Sequence, residues 1–284
     1  MAGAGLRVKP PLLLVVTPTL GASRFLKDTM ASVAATGLPI LHVLACPAER
    51  VAALQAEHPH CRVVPDAARA GAIYGALNAA LAAVPDGWEW FTYINDDDAL
   101  GPGFGDMMRR HISRATPEPV TYGDVRVIDE EGRTISLLTT ERSPRFVPAV
   151  LRAGISPLNQ QGMLFSREVL ASLGGFDTRY RICADLDLWA RAMAGGHRFR
   201  YYRAEVGRFR IRRGQISGDV AATRREQDEI ARRAFPQAGS WPRRFFAAWR
   251  YRLLNLPRYL RRARSVGWVS SGEILTHGRQ ASRP

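Results

Sequence analysis

Trp90-Phe91-Thr92-Tyr93-Ile94-Asn95-Asp96-Asp97-Asp98-Ala99-Leu100 is the stretch on which the fold turns. An apolar, aromatic run through Ile94 stops abruptly at three consecutive carboxylates. The run reads as a buried strand, and the acids fall at its carboxyl end, where open α/β sheets keep their ligand crevice. Three adjacent carboxylates repel one another, and a divalent cation that takes their oxygens as hard ligands relieves the repulsion. The competing reading is a solvated acidic turn ahead of the helix that starts near Gly103, since Asp favours N-caps.

Upstream of this stretch the chain alternates strands and helices. Leu12–Val16 is a short continuous apolar run, and Phe25, Met30, Val33 and Ala34 follow at helical spacing, with Gly37 placed to end that helix. Ile40–Ala45 reads as a second strand, Glu49–Glu57 as a helix and Arg62–Val64 as a short strand; Ile73, Leu77, Ala80, Leu81 and Val84 then trace an amphipathic helix. This βαβαβαβ rhythm predicts an α/β domain. Downstream, Phe104–Ile112 suits a helix, and Val120–Ile128 and Thr134–Leu138 flank a Gly-bearing hairpin turn at Asp129–Gly132. Ser166 is placed to cap a helix over Arg167–Leu173, and Gly195-Gly196 to end another over Ala184–Ala194. Arg198–Arg212 alternates basic with aromatic or aliphatic residues, as strands do.

The 284 residues are 46% hydrophobic and 23% charged, which excludes a disordered, collagenous or multi-span membrane chain. Leu12–Val16 is too short for a signal-peptide core or a membrane span. Cys46, Cys61 and Cys183 are widely spaced and form no CxxC pair, so neither a disulfide framework nor a zinc site is expected and a reducing, cytoplasmic setting is the default. Net charge is +14, and all but two of the 40 cationic residues, Lys9 and Lys27, are arginine. The excess is uneven, because residues 240–284 hold ten arginines and one acid, Glu273. In that segment Trp241, Phe245, Trp249, Leu253, Leu256 and Leu260 recur every three or four residues, and Pro257 is expected to break or kink the helix they imply. The tail suits docking on an anionic membrane surface, packing of its stripe on the protein's own core or, with no base-reading motif to support it, nucleic acid.

A second acidic string, Arg181-Ile182-Cys183-Ala184-Asp185-Leu186-Asp187-Leu188-Trp189, opens the Ala184–Ala194 helix. Asp185 and Asp187 point in different directions on a helix, and the macrodipole at its N-terminus favours the ionised form that a general base needs. Five strings occur together in order: Thr17-Pro18-Thr19, Ile73-Tyr74-Gly75-Ala76-Leu77-Asn78, Asn95-Asp96-Asp97-Asp98, Tyr122-Gly123-Asp124-Val125, and Gly174-Gly175-Phe176-Asp177 ahead of Asp185-Leu186-Asp187-Leu188-Trp189. In this register residues 10 to 220 resemble the family 2 glycosyltransferases, inverting enzymes with a GT-A fold.

The resemblance implies a Rossmann-like, mostly parallel central sheet flanked by helices over residues 1–239, followed by a basic helical extension over 240–284. It implies Mg²⁺ or Mn²⁺ held by Asp97 and Asp98, a nucleotide-sugar pocket lined by Thr17, Thr19, Asn78, Asp96 and Asp97, and Asp185 as catalytic base. Gly174–Asp177 matches the turn that precedes the acceptor side. Arg69 and one of Arg210, Arg212 and Arg213 are candidates to neutralise the donor diphosphate, with Arg212 preferred; a basic solvated hairpin is the other reading of that arginine run. Where the family has an acid-rich end to the second strand, this chain reads Val43-Leu44-Ala45-Cys46-Pro47. The expected activity is transfer from a nucleotide-diphosphate sugar to a glycan or lipid-linked hydroxyl in cell-surface polysaccharide synthesis, at the inner face of the plasma membrane. A sugar nucleotidyltransferase and a non-catalytic nucleotide- or polyanion-binding module are the alternatives.

Overall fold

The computed structural model describes residues 13–66, 73–212 and 219–266. β1 (Leu13–Pro18) is buried at all six positions, because strands pair with it on both sides and its alternating side chains enter two separate cores. Leu14 and Val16 join Tyr74, Leu77 and Phe176, while Leu13 and Val15 join Val33, Phe104, Met107 and Met108. This period-2 split is what a strand between two helical layers requires.

The expected alternation follows: α1 (Leu26–Ala34), β2 (Ile40–Cys46), α2 (Val51–Glu57), β3 (Arg62–Pro65), α3 (Ile73–Ala83) and β4 (Trp90–Tyr93). β1, β2, β3 and β4 are parallel in the order β3-β2-β1-β4, so their carboxyl ends all open on one edge. Beyond β4 the chain forms β5 (Ala99–Leu100), α4 (Phe104–Ile112), β6 (Val120–Ile128), β7 (Thr134–Leu137), α5 (Val147–Arg152), β8 (Leu164–Ser166), α6 (Arg167–Ser172), α7 (Ala184–Ala194), β9 (Phe199–Arg210) and α8 (Val220–Ala234). The sheet continues β4-β8-β6-β9-β5, with β7 on the free side of the β6 hairpin. It is parallel through its first four strands and mixed beyond them: β4–β8, β8–β6, β6–β7 and β9–β5 are antiparallel and β6–β9 is parallel. The β6–β7 hairpin turns at Asp129, whose Oδ1 accepts from the Glu131 and Arg133 amides. The Ser166 cap is also present, with its hydroxyl accepting from the Val169 amide.

The Arg198–Arg212 run forms no hairpin. It is one twelve-residue strand, β9, whose final residues cross over the acidic turn. Gly207 makes the crossing feasible: a Cβ there would lie 2.4 Å from the Gln161 backbone oxygen.

Two helices close the described chain, α9 (Trp241–Leu254) and α10 (Leu256–Val266). The break falls at Asn255, whose side-chain amide accepts from the Thr140 backbone amide at 3.2 Å and donates to the Tyr251 carbonyl at 2.9 Å. Pro257 sits in the first turn of α10, where its missing N–H leaves no helical bond unmade. Residues 267–284 of the expected tail lie outside the described residues.

Candidate active site

The carboxyl ends of β1, β2 and β4, the residue after β3 and the N-termini of α3 and α7 surround one pocket of about 540 Å³. That is an ordinary size for a small-molecule site. Its placement follows from the parallel half-sheet, since every loop leaving those strands emerges on the same edge.

The three aspartates divide at a tight turn. The Asp98 amide donates to the Asn95 carbonyl at 3.1 Å, so Asp96 and Asp97 occupy the tip and Asp98 returns into the protein. Asp96 and Asp97 line the pocket. Asp96 accepts a 2.6 Å bond from the Thr19 hydroxyl, and burial raises its pKa against that bond. Asp97 Oδ2 accepts from Arg212 Nε at 2.5 Å, and its Oδ1 takes part in no hydrogen bond among the described residues.

Asp98 is fully buried and does not line the pocket, contrary to the expected ligand role. Its Oδ1 accepts from the Arg210 amide at 2.8 Å and its Oδ2 from Gln161 Nε2 at 2.9 Å. Burial, reinforced by the neighbouring Asp97 charge, pushes its pKa up to about 8. Asp98 therefore staples the turn to β9 and the Gln161 segment. Arg210 belongs to the same staple: it is buried, and its guanidinium donates to the carbonyls of Asp97, Asp129 and Glu130 and reaches Asp28. Arg212, two residues on, lines the pocket, as do Arg24 and Arg181.

Across the pocket, Asp185 lies in the first turn of α7. The Tyr74 hydroxyl, shared between the Ile182 carbonyl at 2.6 Å and Asp185 Oδ1 at 3.0 Å, fixes the carboxylate. Burial raises the Asp185 pKa, with the Leu186 amide and the Tyr74 hydroxyl opposing it. A carboxylate raised toward neutrality while aimed into a pocket is suited to take a proton. Asp187 plays a different part, fully buried between Arg191 and Arg233 and tying α7 to α8.

Two expected pocket residues lie behind it instead. Thr17 is fully buried, 3.0 Å from His42 Nε2, and the lining of the cavity begins at the following Pro18 and Thr19. Asn78 clamps the Gly174–Asp177 turn, donating to the Phe176 carbonyl at 2.8 Å and accepting from the Phe176 amide at 2.9 Å. Gly175, at φ +80°, permits this contact, since a Cβ there would lie 2.7 Å from Asn78 Oδ1. The clamp sets Phe176 against Tyr74, with ring centroids 5.6 Å apart, and so supports the Asp185 partner from behind. Arg69 and Arg213 lie outside the described residues.

Three contributors escape a reading of the sequence. Tyr74 sits inside one of the recurring strings, where nothing marks it out from its neighbours. Asp66, just past β3, enters the pocket beside Ala45, its pKa raised by burial and by Glu49. Glu226 on α8 accepts from the amides of Arg181, Ile182 and Cys183 at 3.0, 3.0 and 2.8 Å, which anchors the approach to α7. Only the alternation of carboxyl ends along the sheet hints at Asp66, and nothing local marks Glu226.

Among solved structures, the chain superposes on S. aureus TarS 1–349 in complex with UDP-GlcNAc with a TM-score of 0.57 at 13% identity, covering 93% of this chain and 83% of that one. The mannosyltransferase PcManGT from Pyrobaculum calidifontis, in complex with GDP-Man and Mn²⁺, gives a TM-score of 0.50 at 16% identity over 94% of this chain and 87% of that one. At these identities the likeness establishes the GT-A fold. No curated protein sequence matches the chain. The model of the family described as glycosyltransferase-like family 2 matches residues 10–241, a span that contains the whole pocket. On that match the chain belongs to glycosyltransferase family 2 and is a glycosyltransferase.

Proposed function

We propose that the protein moves a sugar from a nucleotide-diphosphate sugar to an acceptor hydroxyl in a single, inverting displacement assisted by a divalent metal. The observation that carries this reading is the meeting of the Asp96–Asp97 turn and Asp185 on one cavity. One end can hold a diphosphate, and the other can take the proton of an attacking hydroxyl.

The residues present fit Mg²⁺ or Mn²⁺. Asp97 offers Oδ1, and the pocket residue Asn95 has a buried Oδ1 without a hydrogen-bond partner among the described residues. Among those residues no three His, Cys, Asp or Glu side chains gather as a closed ligand set, which suits a hard cation that takes one or two carboxylates and completes its shell with phosphate and water. When bound there the cation would stabilise negative charge developing on the leaving diphosphate. Asp97 would hold it, and Asp98 would hold Asp97 in place from below. Arg212, which lines the pocket, would neutralise the diphosphate, and Asp96, held by Thr19, would accept from the donor's ribose hydroxyls.

Asp66 supports recognition of the base. Its carboxylate can accept an N–H from a pyrimidine or guanine edge, a role that the second strand, ending Ala45-Cys46-Pro47, has no acid to fill. Asp185 accepts the acceptor's proton as its oxygen attacks the anomeric carbon opposite the leaving group, and that geometry inverts the configuration. The acceptor is a hydroxyl of a glycan or lipid-linked glycan, as in cell-surface polysaccharide synthesis. Three free, buried thiols, Cys46, Cys61 and Cys183, support work at the cytoplasmic side of the membrane.

Asp185→Asn tests the assignment. It keeps shape and hydrogen bonding but removes the base, so transfer should fall at least about a hundredfold while nucleotide affinity holds. Near-normal turnover by this variant would sink the role of Asp185.

A further inference from the structure

On α9 two alanines and Tyr251 face the protein, and the other large apolar side chains face away. Ala247, Ala248 and Tyr251 are buried, Ala247 and Tyr251 against Val150 of α5. Trp241, Phe245, Phe246, Trp249 and Leu253 are 72, 60, 54, 55 and 48% exposed, and Leu256 and Leu260 extend the surface along α10. Of ten exposed large apolar side chains among the described residues, eight lie between Trp241 and Leu260. Packing on the core and exposure of the stripe thus coexist, and the stripe is a contiguous apolar face of a kind that marks an interaction site.

The charge around it narrows the partner. From Trp241 to Arg264 the chain has eight arginines and no acid. Arg250 and Arg258 turn inward to Glu141 and Asp124, whereas Arg243, Arg252, Arg261 and Arg264 are exposed beside the apolar residues. A second copy pairing through the same patch would set arginines against arginines with no acid between them. A polynucleotide would use the arginines and could stack bases on the tryptophans, but would leave Leu253, Leu254, Leu256 and Leu260 in water. An anionic bilayer satisfies both, taking aromatic and leucine side chains at the acyl boundary and guanidinium groups at the headgroups. No described helix is long and apolar enough to cross a membrane, so the face would lie in the interface plane.

We propose that the outward face of α9 and α10 docks the enzyme on an anionic lipid surface. Docking is independent of which sugar is transferred.

Flotation of the full chain with phosphatidylcholine vesicles, with and without phosphatidylglycerol, tests this. Binding is expected to the anionic vesicles, weaker to neutral ones, and to decline with salt. Arg252→Gln and Arg261→Gln should each weaken partitioning about fivefold, and the double variant Phe245→Ser/Trp249→Ser by more than about tenfold. All four side chains are exposed, so the unfolding midpoint should not move. Failure of the wild-type chain to float with anionic vesicles overturns the proposal. So does a concentration-dependent dimer that Phe245→Ser/Trp249→Ser dissolves while vesicles stay unbound, which assigns the face to a second copy. RNA binding that competes with vesicles and survives the same double variant would overturn it in favour of nucleic acid.

Discussion

Glu226 offers a sharp test of how the fold sets the chemistry, because it does not line the pocket and yet holds the segment that does. Its carboxylate accepts three consecutive main-chain amides, Arg181, Ile182 and Cys183, two residues ahead of Asp185. Hydrogen bonds to a charged group each contribute about 1.5–3 kcal/mol net. Arg181 is exposed and water can replace its bond, so Glu226→Ala orphans the two partly buried amides and should destabilise the protein by about 3 kcal/mol. Glu226→Gln keeps one accepting oxygen for Ile182 and Cys183 but turns an NH₂ toward the Arg181 amide, and should cost about 1 kcal/mol. Because Arg181, Ile182 and Asp185 all line the pocket, loosening their anchor misplaces the base. A displacement near 1 Å lowers turnover by about 10²-fold. Denaturant unfolding and turnover would be measured on both variants. If Glu226→Ala unfolds like wild type and keeps full turnover, the nest does not position Asp185 and the reasoning is refuted.

Other consequences follow from the same contacts. Tyr74→Phe removes a hydrogen bond that favours ionised Asp185, whose pKa burial has already raised; the acid limb of the kcat profile should move to higher pH, and an unmoved limb would contradict the Tyr74–Asp185 coupling. Asn78→Ala strips both bonds from the Phe176 backbone and should cost about 2–3 kcal/mol of stability; nucleotide affinity in the folded fraction should persist, and a selective loss of affinity would return Asn78 to the pocket. His42 is buried, with its pKa lowered to about 4 by burial and then by the charge of His58, so the unfolded chain binds the extra proton between pH 4 and its ordinary value. Stability from that group is full above about pH 6.5 and falls on acidification, by about 2 kcal/mol from pH 7.5 to 5. His42→Gln should flatten that slope in pH-dependent unfolding, and an unchanged slope would place the acid sensitivity elsewhere.

The legible part of the fold was the part with local cause. β6 and α7 begin and end where the residue pattern placed them, since a Gly-bearing turn and a Gly-Gly stop act on their own neighbours. β5 and β8, two and three residues long, exist only because distant strands pair with them, and no pattern that short is readable. The strand signal of Arg198–Arg212 was readable as one alternation, but the role of Gly207 in it, close passage of Gln161, depends on a segment more than forty residues away.

The site was legible to the same depth. Strand ends pointed to Thr19, Asp96 and Asp97, and a helix N-terminus together with the family resemblance to Asp185; all four line one pocket. Which of three adjacent aspartates faced inward depended on a turn closed by Asn95 and on partners at Gln161 and Arg210, more than sixty residues away. Asn78 misled for the same reason, since its amide is satisfied by a turn 98 positions on.

The central claim, that the Asp96–Asp97 turn receives a metal-bridged nucleoside diphosphate, is tested most directly by thermal unfolding with UDP and GDP, each with and without Mn²⁺. At a hundredfold excess over Kd, binding adds about 2.7 kcal/mol, which raises the midpoint by about 5–10 °C in a chain of this size. One nucleotide with Mn²⁺ should produce that rise in the wild-type protein, and Asp97→Asn should lose the Mn²⁺-dependent part. A midpoint unmoved by every nucleotide, with or without metal, would contradict the account.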